Sequence, residues 1–87
     1  MYVILVYDIS VERLNKVRNY LKRYLNWVQN SAFEGELKEG EIEKIKIELK
    51  KLINENEDSI ILYKTRDKRW IMKEKIGIEK NEVTSII

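Results

Sequence analysis

The chain contains no cysteine, no histidine and no proline, and only three of its 87 residues are glycine. The absence of cysteine excludes disulfides and thiolate nucleophiles. With histidine missing as well, Ser-His-Asp and Cys-His catalysis and the nitrogen and sulfur ligands preferred by zinc are excluded too. Any catalysis has to run on carboxylates, hydroxyls, lysines or an oxygen-bound metal. A protein whose stability owes nothing to redox state suits a reducing compartment, and a cytoplasmic location is expected. Without proline, and with Gly35, Gly40 and Gly77 scattered, no linker, low-complexity tract or repeat is visible. The longest apolar run, Tyr2 to Tyr7, falls far short of the ~20 residues of a membrane span, and the N-terminus lacks the basic stretch of a signal peptide. No membrane association is expected.

What is present fits one small domain over residues 1–87. Its 44% hydrophobic content supports a modest core. A domain of this size buries only roughly 60–65% of its unfolded surface, so pairing with a second copy would help it. Seventeen basic and fifteen acidic residues leave a net charge of +2, too small to indicate a polyanion binder by itself. The distribution says more. Arg13, Lys16, Arg18, Lys22 and Arg23 occur with no acid among them, and six basic residues between Lys64 and Lys75 face only Asp67 and Glu74. This segregation permits one positive face, against the alternative of ordinary solvated helix surfaces.

The run Tyr2 to Tyr7 has the pattern of a central strand covered on both faces. Ser10 can cap a helix over about residues 11–25, whose apolar stripe is Leu14, Val17, Leu21, Tyr24 and Leu25. On a helical wheel Arg13, Lys16, Tyr20 and Arg23 share one flank, with Arg18 and Lys22 on the other. Trp27 to Leu37 reads as extended, bent into two short strands around Ser31 to Gly35. Ile42, Ile45, Leu49, Leu52 and Ile53 predict an amphipathic helix over 38–54, ended by the polar turn Asn54 to Asp58. Ser59 to Tyr63 is a further strand, Lys64 to Arg69 a charged loop, Trp70 to Ile76 a candidate strand and Glu82 to Ile87 a short last one. The order predicts an α+β, ferredoxin-like βαββαβ sandwich with an extra C-terminal strand. A two-fold dimer whose interface includes residues after Trp70 would protect the apolar stretch Val83 to Ile87.

Asp8 stands where the first strand emerges at its carboxyl end, the edge at which such folds place sites. One carboxylate holds Mg²⁺ weakly, because the ion wants six oxygens, but two copies of Asp8 meeting at a two-fold axis would supply two carboxylates. The structural alternative is that Asp8 only turns the strand into the helix. The segment Trp27 to Gly35 mixes two aromatics with amides and hydroxyls. Phe33 in it can stack a nucleic-acid base or simply fill the core. Ser31 has no histidine to activate it. Tyr7, Tyr20 and Tyr63 can touch sugar or phosphate, or pack with a wet hydroxyl.

The opening Tyr2-Val-Ile-Leu-Val-Tyr-Asp-Ile-Ser10, the basic helix with Arg13, Lys16 and Val17, and the block Val28-Gln-Asn-Ser-Ala-Phe-Glu-Gly35 carry a resemblance. Together with the apolar strand after Asp58-Ser59, they closely resemble the small CRISPR-associated proteins that partner the integrase in spacer acquisition. The resemblance implies a ferredoxin-like homodimer. It also implies Mg²⁺ or another divalent cation between the two copies of Asp8, as metal ligand and catalytic residue, and cleavage of RNA or DNA phosphodiesters. It further implies a dimer that bridges integrase subunits with duplex DNA lying across it. Arg13, Lys16, Arg18 and Phe33 are then the expected nucleic-acid contacts, with single-stranded RNA as a further partner. Many relatives carry a basic residue just before the Val-Gln of the second block, where this chain has Trp27, and Ala32 replaces a β-branched residue. Two other readings stand beside this one: a non-catalytic nucleic-acid-binding scaffold with a purely structural Asp8, and an unrelated ferredoxin-like binding module.

Overall fold

The apolar run after Met1 forms β1 (Tyr2–Asp8) in the computed structural model, which describes residues 1–77. The chain continues through α1 (Val11–Leu21), β2 (Asn26–Gln29), β3 (Ala32–Glu36), α2 (Glu39–Leu52) and β4 (Ser59–Thr65), and the last element among the described residues is a 3-10 turn, Lys68–Trp70. The four strands lie in the order β2-β3-β1-β4, and every neighbouring pair is antiparallel. This is the ferredoxin-like α+β arrangement expected from the sequence, with β1 in the interior of the sheet and β2 and β4 at its edges.

Alternation along β1 sorts its residues between two sides. Val3, Leu5 and Tyr7 are buried against the helices with Val17, Leu21, Ile42, Ile45 and Leu49, and Phe33 beside Leu5 is fully enclosed. Tyr2, Ile4, Val6 and Asp8 occupy the other side. Among the described residues no helix covers that side, and Val6, Ile61 and Tyr63 are exposed there at 36%, 49% and 57%. The expectation of a strand covered on both faces holds for one face only among the described residues. Both crossover helices pack on one layer, and on the other side the part around Val6, Ile61 and Tyr63 stays open among the described residues.

Local signals explain most element ends. Ser10 precedes α1 as expected, but its hydroxyl makes no capping bond; its carbonyl accepts from the Arg13 N–H at 2.9 Å. At α2 the Glu41 carboxylate reaches back to the Lys38 N–H at 2.9 Å, one half of a capping box. The turn between β2 and β3 falls at Asn30-Ser31, earlier than expected, which puts Phe33 and Gly35 inside β3. Gly35 lets β3 pass close to α1's end: a Cβ there would lie 3.1 Å from Leu25 Cδ2.

The candidate strand Trp70 to Ile76 is not a strand. Asp67 accepts from the Arg69 N–H at 2.8 Å and turns the chain, which then runs over the open face instead of alongside a free edge. Lys68 lies over the Tyr2 ring, Lys73 pairs with Glu34, and residues 73–76 border Val28 and Gln29 of β2. An extended segment becomes a strand only where its backbone pairs with a neighbour's, and residues 71–76 form no such ladder among the described residues. The expected strand Glu82 to Ile87, and the dimer contacts assigned to it, lie outside the described residues.

Candidate functional site

Asp8 closes β1 opposite Ser59 of β4, and its side is exposed on the open face beyond Val6 and Ile61. Strand alternation therefore places it at the rim of an apolar surface. Among the described residues no three acidic groups are placed to hold a metal ion together. A lone carboxylate holds Mg²⁺ weakly, because the ion wants six oxygens.

The expected nucleic-acid contacts have different fates. Arg13 is drawn into an ion-pair cluster: Nε donates to Asp58 Oδ2 at 2.6 Å, Nη2 to Glu57 at 2.7 Å and to Asp58 Oδ1 at 3.1 Å, and Nη1 to Glu12 at 3.3 Å. Its fork is occupied by carboxylates of the same chain. Phe33 is fully buried, 5.9 Å from Tyr7 and 6.5 Å from Trp27 between ring centroids, and it is a core residue with no face for a base. Lys16 is exposed on α1 and makes no ion pair among the described residues. Arg18 donates from Nε to the Tyr7 hydroxyl at 2.9 Å and from Nη2 to the Asn30 carbonyl at 2.8 Å, while the Tyr7 hydroxyl donates to the same carbonyl at 2.6 Å. These bonds hold the β2–β3 turn against the strand end that carries Asp8.

Two groups were not evident from residue patterns. Asp58 looked like part of a polar turn, yet its buried carboxylate also accepts from the backbone N–H groups of Ser10 and Asn54, each at 2.9 Å. The Arg13 hydrogen bond, aided by those two amides, holds its pKa well below the ordinary aspartate value of 3.8. The second group is aromatic. Arg18 and Lys22 lie 5.0 and 4.8 Å from the Trp27 ring centroid, Arg23 lies over Tyr20 and Tyr24, and Lys44 of α2 lies 5.8 Å from Tyr24. The wheel placed Arg18 with Lys22 and Arg23 with Tyr20, but the tie to Lys44 needed the packing of α2 on α1.

Residues 1–73 match the family model described as CRISPR associated protein Cas2. The chain belongs to the Cas2 family. It is similar to the CRISPR-associated endoribonuclease Cas2 of Methanosarcina acetivorans, 53% identical over 87 residues, and to that of Pyrococcus furiosus, 54% identical over 87 residues, with all of each chain covered. It also superimposes on a crystal structure of Cas2 with a TM-score of 0.83 at 42% identity, covering 92% of this chain and 90% of the other. The Cas2 resemblance drawn from the Tyr-Asp strand end and the Phe33 block is thereby confirmed. Trp27 brings no charge of its own but gathers the cations of Arg18 and Lys22. No helix of the described residues is long and apolar enough to cross a membrane.

Proposed function

We propose that this Cas2 family member works as a homodimer in CRISPR spacer acquisition, binding duplex DNA and bridging integrase subunits, and that it hydrolyses nucleic-acid phosphodiesters with Mg²⁺ or another divalent cation. The observation that carries the reading is Asp8, exposed at the rim of an open apolar sheet face whose Val6, Ile61 and Tyr63 a second copy would cover. Two such faces brought together place two Asp8 carboxylates near one axis, the donor set a single chain lacks. Asp8 holds the cation. The chemistry that Mg²⁺ supplies when held there is charge neutralisation at the scissile phosphate and a lowered pKa for its water. Lys16 and Arg18 on α1 bind the strand through phosphates, and the Arg18–Tyr7–Asn30 bonds keep the end of β1 in place. The printed names of the relatives, endoribonuclease, favour single-stranded RNA as one cleaved substrate.

The test compares wild type with Asp8→Asn on single-stranded RNA and duplex DNA in Mg²⁺ and in Mn²⁺. Asparagine keeps the size and one oxygen but removes the charge. Cleavage should fall by at least about a hundredfold while circular dichroism and sedimentation stay unchanged. A wild type that binds duplex DNA and sediments as a dimer, yet cleaves nothing with either metal, would leave the scaffold role alone.

A further inference from the structure

Asp8 has a direct cross-strand neighbour on the open face. It stands opposite Ser59 of β4 in the sheet register, and both residues are exposed. Directly opposed residues of an antiparallel pair project to the same side, with Cβ atoms about 4.5–5.5 Å apart. The Asp8 carboxylate and the Ser59 hydroxyl therefore share one corner of the sheet. The polar groups around that corner divide sharply. Asp58, next to Ser59 in the chain, accepts from the Ser10 N–H and Arg13 Nη2 at Oδ1 and from the Asn54 N–H and Arg13 Nε at Oδ2, which fills both oxygens. The side chains of Asp8 and Ser59 make no hydrogen bond or ion pair among the described residues. They are the uncommitted oxygens of the corner.

The bond from the Ser10 N–H to Asp58 spans the same two strand ends as the Asp8–Ser59 pair, so it fixes the backbone that carries both uncommitted side chains. Part of the ordering cost of binding is met before a ligand arrives. A serine hydroxyl is a neutral, hard oxygen whose lone pairs a cation can share, and hard divalent cations take oxygen donors while keeping part of their water. We propose that Ser59 is a second ligand of the cation held at Asp8, its hydroxyl oxygen completing a carboxylate–hydroxyl pair within one chain. The proposal rests on the reading of Asp8 as a cation holder and adds a residue to it. Two copies meeting at an axis bring two such pairs to one ion.

The experiment measures metal binding by the full chain without nucleic acid, Mg²⁺ by calorimetry and Mn²⁺ by electron paramagnetic resonance. Asp8→Asn should abolish binding. Ser59→Ala should weaken it at least about tenfold, while Ser59→Thr, which keeps the hydroxyl, should stay within about threefold of wild type. Thr65→Ala removes a hydroxyl from the opposite end of β4, far from Asp8, and should stay within about twofold. Circular dichroism and sedimentation separate metal affinity from folding and pairing. If Ser59→Ala melts early, Ser59→Cys decides. The thiol replaces a hard oxygen with soft sulfur, so affinity for Mg²⁺ should fall and that for Cd²⁺ rise at least about tenfold, and the Cd²⁺ gain should vanish when Asp8→Asn is added. A Ser59→Ala protein that binds both metals as wild type does, or a Cd²⁺ gain that survives Asp8→Asn, would overturn the proposal and leave the function proposed above standing. A wild type that binds neither metal, or binding that survives Asp8→Asn, overturns both.

Discussion

The two sides of one strand have different fates. Val3, Leu5 and Tyr7 of β1 are sealed under α1 and α2, while Val6, three-dimensionally as close to the sheet's centre, is exposed beside Ile61 and Tyr63. Both sides are apolar in composition. The covered side stabilises the single chain, and the open side is apolar surface available to another surface, with Asp8 at its margin. A continuous apolar run therefore says that two faces are to be buried, without saying that one chain buries both.

The strongest way to break this comparison is Phe33→Ala, on the sealed side. Truncating a fully buried phenylalanine costs about 3–5 kcal/mol. At 0.05–0.15 kcal/mol per residue a chain of this size has a total of only about 4–13 kcal/mol, so denaturant titration should show a severely destabilised or unfolded protein. Asp58→Ala comes next, because it leaves Arg13 and two backbone N–H groups without their shared acceptor. The thermal midpoint should fall by on the order of 10 °C. The pH dependence has a definite sign: the folded pKa lies below the unfolded one, so the unfolded chain binds the proton first on acidification. The stabilisation is complete above the ordinary carboxylate range and is lost as pH falls below about 4, so wild type and variant should converge in acid. The smallest effect on the single chain belongs to the open side. Ile61→Ser/Tyr63→Ser should cost the monomer only about 2 kcal/mol, since about half of each side chain is already exposed, yet should shift sedimentation toward monomer. A dimer unaffected by this pair would place the partner elsewhere.

The fold was legible because its signals are local: the 3.6-residue spacing of Val17 and Leu21 or Ile42, Ile45 and Leu49, and the apolar run of β1. The place of Asp8 at the carboxyl end of β1 was legible for a related reason, the length of that apolar run. The fates of the basic residues were not, because partner choice is decided by packing. Arg13 and Arg18 are alike in type and share a helix. One meets Asp58, 45 residues away, and the other meets Tyr7 and Trp27. Phe33 illustrates the same limit. An aromatic in a polar block suits a base or a core equally well, and the turn at Asn30-Ser31 settles it by setting the register that aims Phe33 inward. Trp70 to Ile76 failed as a strand because side-chain alternation cannot reveal whether a free backbone edge lies alongside.

Asp58 joins the loop before α1 to the loop after α2, closing rings of 48 residues to Ser10 and 45 to Arg13. The neighbouring Asp8–Ser59 pair of the sheet closes nearly the same ring, so these bonds are expected to form late, once β1 and β4 are paired, and the folding and unfolding rates of Asp58→Ala check that order. A contact absent from the transition state leaves the folding rate nearly untouched and slows escape from the native state. In kinetic terms the carboxylate acts as a latch: it governs how long the folded chain persists between openings, and hardly at all how quickly it is reached.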